Sequence, residues 1–154
     1  MSNTFPELGF FLVDLLLSFI VLVFTLRILL ALTNANAQNP ITQSIIMISR
    51  PFRSIFFFIP NIGKFELSSF ILIAICHFIN IYMQNVFIGS DVILEKLIIL
   101  SFKSAIFSLL NALTIIFIIL AISSWFIQSS YSNKNPAIDL VYQISNPILY
   151  YIKR

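Results

Sequence analysis

Three long apolar runs, each sufficient to cross a bilayer, constrain the fold of this chain more than any other feature. They extend over about residues 8–32, 67–88 and 104–127, and residues 92–103 form an amphipathic lead-in to the third. A spanning helix needs about 20 mostly apolar residues to cross about 30 Å of hydrocarbon. With 59% hydrophobic and 10% charged residues, the chain has more apolar surface than a water-soluble core can enclose. The sequence therefore predicts an all-α, polytopic membrane protein.

The N-terminal residues and the scarcity of cysteine and histidine give further expectations. The first ten residues contain Glu7 and no basic residue, whereas a cleavable signal peptide begins with a basic region. We therefore expect the first apolar run to remain as an anchor in a single membrane domain covering residues 1–154. One cysteine and one histidine exclude a disulfide framework and a metal cluster built within the chain. No cofactor is expected.

A polar-edged block occurs twice, each time after a long apolar run. The first copy is NPITQSIIMISRP and the second is NPAIDLVYQISNP. Their recurring boundary residues are Asn39, Pro40, Pro51, Asn135, Pro136 and Pro147. A block repeated at constant offset predicts a repeated structural unit. We expect one unit over about residues 8–88, comprising a span, an amphipathic helix and a span, and a second over about 92–154 without a fourth span.

Both blocks have the pattern of amphipathic helices. In the first, apolar residues recur at helical spacing from Ile41 to Ile59, and Arg50 and Arg53 lie outside that stripe. A helix of this kind lies in the headgroup region instead of crossing the membrane. Pro51 should kink or split it, because proline lacks a backbone donor. The predicted fold is thus three transmembrane helices plus two interfacial amphipathic helices in a parallel internal repeat.

Basic residues are distributed unevenly between the two predicted sides. Lys96 and Lys103 lie on one side, and the remaining basic residues lie on the other: Arg27, Arg50, Arg53, Lys64, Lys134, Lys153 and Arg154. The positive-inside rule places the richer side in the cytoplasm. We expect a bacterial inner-membrane protein with its N-terminus outside and the Arg154 end cytoplasmic.

The order of several short motifs resembles a known family. Arg27 precedes a Leu-Leu pair, Asn39-Pro40 and the segment RPFR follow, and PNIGKFELS leads into the second span. Ser124-Trp125-Phe126 ends the third span. From about residue 15 onward, this arrangement is similar to the YggT (YlmG-like) family of small integral membrane proteins.

The resemblance implies a membrane role without a defined activity. Members of the family are associated with osmotic or potassium stress, cell division, and the assembly or distribution of membrane complexes. Two departures stand out: Ala31-Leu32 replaces the family's Ser-Trp-Phe in the first copy, and the family's fourth span is missing. The chain is then either truncated or a degenerate member.

Polar residues form matching stripes on the second and third spans. The stripe residues are Ser69, Cys76, His77, Asn80 and Gln84 on the second, and Ser101, Ser104, Ser108 and Asn111 on the third. One hypothesis is that they hydrogen-bond across the two antiparallel helices. The other is a hydrophilic path for an ion or water. His77 fits a hydrogen-bonding role better than haem ligation, which needs a second axial ligand, or proton relay, which needs acidic neighbours on the same helix; neither is visible.

Charged residues near the ends of the spans give further candidates. Arg27 can reach the interface with its long side chain, bind a lipid phosphate, or pair with another helix. Asp14 should lie near the outer interface. Arg50, Arg53 and Lys64 form a basic cluster that either docks on anionic lipid and fixes the topology or binds a cytoplasmic partner.

No catalytic pattern accompanies these features. The sequence has no glycine-rich phosphate loop, no nucleophile with an adjacent base, and no basic run or aromatic platform for nucleic acid. We expect a non-enzymatic scaffold or assembly factor for membrane complexes. The alternative is an oligomeric channel or transport component linked to osmotic or potassium stress. The expected partners are the lipid bilayer and other membrane proteins or further copies of the chain, without nucleic acid.

Overall fold

A computed structural model of the protein describes residues 4–56, 58–89, 93–126 and 135–152. This part of the chain is all-helical and contains five helices. Their bounds are α1 Thr4–Thr33, α2 Pro40–Ile55, α3 Leu67–Ile88, α4 Leu94–Phe126 and α5 Pro136–Ile152. Three of them, α1, α3 and α4, are long and apolar enough to cross a membrane. The prediction of an all-α fold with three helices able to span a membrane is therefore confirmed.

The ends of the helices follow from local backbone chemistry. Asn34 follows α1 with φ +50° and Gly89 ends α3 with φ +73°, both in the left-handed region that asparagine and glycine tolerate. The predicted lead-in before the third span is continuous with it. The resulting helix of 33 residues is about 50 Å long at 1.5 Å per residue, which exceeds the hydrocarbon thickness.

Proline lies inside both shorter helices without dividing them. Pro51 falls within α2, which continues to Ile55, and Pro147 falls within α5. Of the two effects expected of Pro51, a kink or a split, the split is therefore wrong. The predicted stripe extends past the helix, because Ile59 lies beyond Ile55. The residues of α2 that are buried are Thr42, Ile45 and Ser49.

Helix α1 is the central element, since it contacts each of the other four helices among the described residues. In the most apolar stretch of each helix, 44% of α1 is buried but only 11% of α4. Phe24 and Ile28 of α1 pack against Ile73 of α3 in one apolar cluster. A second cluster joins α1, α2, α4 and α5 around Leu30, Ile45, Ile116 and Ile144.

Helices α2 and α5 meet at the same end of the molecule. The side-chain amide of Asn39 donates to the carbonyl oxygen of Pro136 at 2.8 Å, and the backbone amide of Asn36 donates to Gln143 Oε1 at 2.7 Å. The segments that follow the first and third spans therefore share one side of the protein. Lys134, Lys153 and Arg154, which were part of the charge count, lie outside the described residues.

Candidate functional site

A buried polar junction joins α1, α2 and α3 where α1 ends and α3 begins. Arg27 Nε donates to Glu66 Oε2 at 2.7 Å, and Arg27 Nη2 lies 3.3 Å from Glu66 Oε1. Arg27 Nη1 also donates to Ser49 Oγ of α2. Ser69 Oγ donates to Glu66 Oε2 at 2.8 Å. We call these four residues the Arg27 junction.

Arg27 is held inside the folded chain. Its side chain is 8% exposed and is bonded to Ser49 of α2 and to Glu66 at the start of α3, as in the alternative that pairs it with another helix. The planar guanidinium matches a carboxylate with two N–H donors, which arginine does better than lysine. Sequence reasoning missed Glu66 as the partner. The available signal was an acidic residue placed directly before a span.

Electrostatics at the junction favour an ionised carboxylate. Burial opposes the charge on Glu66, but the hydrogen bonds from Arg27 and Ser69 and the nearby charges of Arg27 and Arg53 outweigh it. The net effect lowers the pKa of Glu66 below its usual range. Glu66 therefore stays negative and compensates Arg27 through the pH range of a living cell.

A second polar cluster lies between α1, α3 and α4. His77 Nε2 is 2.8 Å from Ser108 Oγ, which is a hydrogen bond across the predicted stripes. Asn80 Nδ2 donates to Asp14 of α1, and Gln84 Nε2 donates to Asn80 Oδ1 at 2.6 Å. A cavity of about 340 Å³ lies beside His77, Asn80 and Ser108 and is otherwise lined by Leu17, Ser18, Val21 and Cys76.

The stripes are only partly joined to each other. The hydroxyl of Ser69 donates to the carboxylate of Glu66, and those of Ser101 and Ser108 donate to backbone carbonyls of their own helix. Ser104 is half-buried and supplies the carbonyl oxygen for Ser108. Asn111 is exposed and forms no hydrogen bond with any residue that the structure describes.

A groove lies between α1, α4 and α5. Its volume is about 450 Å³ and its lining is mainly aliphatic. Thr25 and Asn111 face this groove from α1 and α4. Thr25 is 2% exposed, and its hydroxyl has no hydrogen-bond partner among the described residues. An unpaired hydroxyl in an apolar setting is costly, but this one is enclosed within the protein. Asn111 is exposed, so its side chain is the polar group on the groove that a neighbour could reach.

The two Asn-Pro motifs begin α2 and α5 in the same way. Asn39 Oδ1 accepts from the backbone amide of Ile41 at 2.9 Å, and Asn135 Oδ1 accepts from Ala137 at 3.0 Å. Each asparagine caps its helix, and the proline that follows occupies a first-turn position where its missing N–H is not needed. Ser49 and Ser145, at matching places in the two blocks, are both fully buried.

The predicted basic cluster is at the surface. Arg50 and Lys64 are exposed and make no ion pair with any described residue. Arg53 is 48% exposed and its Nη1 lies 4.0 Å from Glu66 Oε1. Arg50 and Arg53 line one cavity, whereas Lys64 is not part of its lining.

The Arg27 junction, the polar cluster around His77 and the groove consist of side chains suited to packing and hydrogen bonding. Within the described ranges, no group of three or more His, Cys, Asp or Glu side chains could hold a metal ion. No protein-family model, no curated protein and no solved structure matches this chain.

Proposed function

We propose that this protein is a non-enzymatic scaffold or assembly factor that organises membrane complexes by binding other membrane helices. The observation that carries the proposal is Asn111 of α4, which lines the groove between α1, α4 and α5 with an exposed side chain that bonds to no described residue. Within a bilayer, lipid tails are as apolar as aliphatic side chains, so the hydrophobic effect does not drive helices together. Hydrogen bonds and close packing between helices therefore contribute much of their association.

The partner is a transmembrane helix that presents a hydrogen-bonding side chain to this groove. It belongs to another membrane protein or to a second copy of the chain. The lining of the groove suits an aliphatic helix surface, since α4 contributes Ile115, Ile116 and Ile119 and α5 contributes Leu140 and Ile144. The low burial of α4 leaves room for such a neighbour.

Photo-crosslinking from matched positions tests the proposal. A photo-reactive residue at Ile115 lies in the groove, whereas one at Ile118 is similarly exposed on α4 but does not line it. We expect a crosslink from position 115 to a membrane protein or second copy, and none from 118. Asn111→Leu should abolish it, whereas Thr114→Val should not, because the Thr114 hydroxyl already bonds to the carbonyl of Leu110. Equal crosslinking from both positions, or a pattern unchanged by Asn111→Leu, would refute the groove as the binding surface.

The family, location and finer topology belong to the same proposal. The order of motifs supports a member of the YggT family in a bacterial inner membrane, with the ends of α2 and α5 on the cytoplasmic side. The matching caps of Asn39 and Asn135 and the matching burial of Ser49 and Ser145 support a parallel repeat. Exposed apolar residues beside Arg50 in α2, such as Met47 at 78%, support an interfacial position for that helix.

A channel or transport role linked to osmotic or potassium stress is the second candidate. The polar cluster of Asp14, His77, Asn80 and Ser108 favours it. Toward the other end of the α1–α3 contact, Phe24, Ile28 and Ile73 are buried and apolar, so a path through one copy would be closed there. Conduction would therefore need several copies, and liposomes containing the oligomer would show ion flux sensitive to His77→Ala and Asn80→Ala.

A further inference from the structure

A basic cavity opens between the end of α2 and the beginning of α3. It measures about 550 Å³ and is lined by Arg50, Arg53, Ser54, Phe56, Ile59, Pro60, Asn61 and Ser68. The two arginines come from the last turns of α2, and Ser68 comes from the first turn of α3. The connecting segment supplies the remaining wall, which is mostly apolar.

The positive charge in this cavity is only partly neutralised by the described residues. Glu66 is the carboxylate that pairs with Arg53, and it is already engaged by Arg27 at 2.7 Å and by Ser69 at 2.8 Å. Arg53 reaches it only at 4.0 Å, and Arg50 has no ion pair or hydrogen bond with any described residue. An excess of positive charge therefore remains at the mouth of the cavity.

Uncommitted hydrogen-bond donors lie beside the two arginines. Ser68 is 4% exposed, yet its hydroxyl makes no hydrogen bond within the part of the chain that the structure describes. The side chain of the N-cap residue Glu66 accepts no hydrogen bond from a backbone amide of α3, so the amides of the first turn lack the usual side-chain cap. Helix N-termini and arginines both favour anions with several oxygens, such as phosphate.

The position of the cavity favours a lipid headgroup over a free inorganic ion as the source of the anion. α3 is a candidate span that begins at Leu67, so Ser68 marks the level at which the chain enters the membrane. The apolar lining residues Phe56, Ile59 and Pro60 suit glycerol and upper acyl groups, which a free inorganic ion does not have. We propose that this cavity binds the phosphate of an anionic phospholipid, held by Arg50, Arg53 and Ser68.

Lipid retention by the full-length protein in mild detergent tests the assignment. Native mass spectrometry would compare phosphatidylglycerol with phosphatidylcholine for the wild type, Arg50→Gln, Arg53→Gln and the double variant. Each single change should weaken phosphatidylglycerol binding about fivefold, as expected for one basic residue near an anionic lipid. Phosphatidylcholine should bind weakly to all of them.

The chain offers a matched control. Lys64→Gln removes one positive charge from the same connecting segment but not from the cavity, so it should leave retention within about twofold of the wild type. Ser68→Ala should weaken retention without removing a charge. Equal losses from Lys64→Gln and Arg50→Gln would overturn the site in favour of diffuse attraction. Displacement of the lipid by millimolar inorganic phosphate, with equal stabilisation of the protein, would overturn the lipid as the ligand.

Discussion

The side-chain amide of Asn39 donates to the carbonyl oxygen of Pro136 at 2.8 Å, so the cap of one short helix is bonded to the first residue of the other. The same side chain accepts from Ile41 through its oxygen. One asparagine therefore begins α2 and fixes the start of α5 beside it. This contact places the segments after the first and third spans together.

Replacing the two capping asparagines separates these roles. Asn135→Ala removes a cap alone and should lower the free energy of unfolding by about 1 kcal/mol. Asn39→Ala removes a cap and the bond to Pro136, and should cost about 2 kcal/mol in total. Unfolding in mixed detergent micelles measures both. Equal losses would show that the bond between the helices contributes nothing to stability.

The Arg27–Glu66 pair predicts strong destabilisation by single changes. Arg27→Gln leaves Glu66 charged and largely buried, and Glu66→Gln does the same to Arg27. Each should lower the free energy of unfolding by about 3–5 kcal/mol, because one buried charge remains uncompensated. The double variant should lose less than the sum of the two. Arg53→Gln is the control, since Arg53 is half-exposed and should change stability by less than about 1 kcal/mol.

The lowered pKa of Glu66 gives a direction for the effect of pH. Its carboxylate stays charged to lower pH in the folded protein than in the unfolded chain. Its stabilisation is therefore complete above the usual glutamate range and disappears as the pH falls through the folded-state pKa. The wild type should lose stability in that acid range, while Glu66→Gln should show a smaller dependence. Parallel pH profiles for the two proteins would contradict this explanation.

The His77–Ser108 hydrogen bond should contribute modestly. Its partners lie on facing spans, and bonds of this kind contribute about 0.6–2 kcal/mol in membrane proteins. A double-mutant cycle with His77→Ala and Ser108→Ala should give a coupling energy in that range. Pairing His77→Ala with Ser124→Ala in the same kind of cycle is the control and should give no coupling energy. Ser124 is exposed, and its hydroxyl donates to the carbonyl oxygen of Ala121 in its own helix. A coupling energy near zero would mean that the contact is not formed in the membrane.

Cysteine labelling tests the proposed topology. The only native thiol, Cys76, is buried, so Cys76→Ser provides a silent background. Single cysteines at Lys64 and Asn146 should react from the same side of the membrane, and one at Glu95 from the opposite side. In whole cells, only the last should react with an impermeant reagent. Labelling of positions 64 and 146 from opposite sides would exclude the three-span arrangement.

The spans and their ends were predictable because their determinants are local. The second span was predicted over residues 67–88, and α3 occupies Leu67–Ile88. Asn34 and Gly89 end helices through their own backbone preferences, which do not depend on the rest of the fold. The same holds for the two Asn-Pro caps, where the capping oxygen and the amide it binds are two residues apart.

The partners of the polar residues were not predictable, because they depend on how helices are rotated and aligned. Spacing placed Asn80 opposite the third span, but it bonds to Asp14 of α1. Arg27 could be paired in several ways until the position of Glu66 relative to α1 was known. Likewise, the face of α2 that packs inward includes Thr42 and Ser49, since small residues permit close approach between helices.

The pairing of Arg27 with a residue 39 positions later has a consequence for biosynthesis. When the first span leaves the ribosome, its guanidinium has no carboxylate to meet, and a lone cation resists transfer into hydrocarbon. We therefore expect the first span to be held less firmly in a nascent chain that stops before Glu66 than in one that contains it.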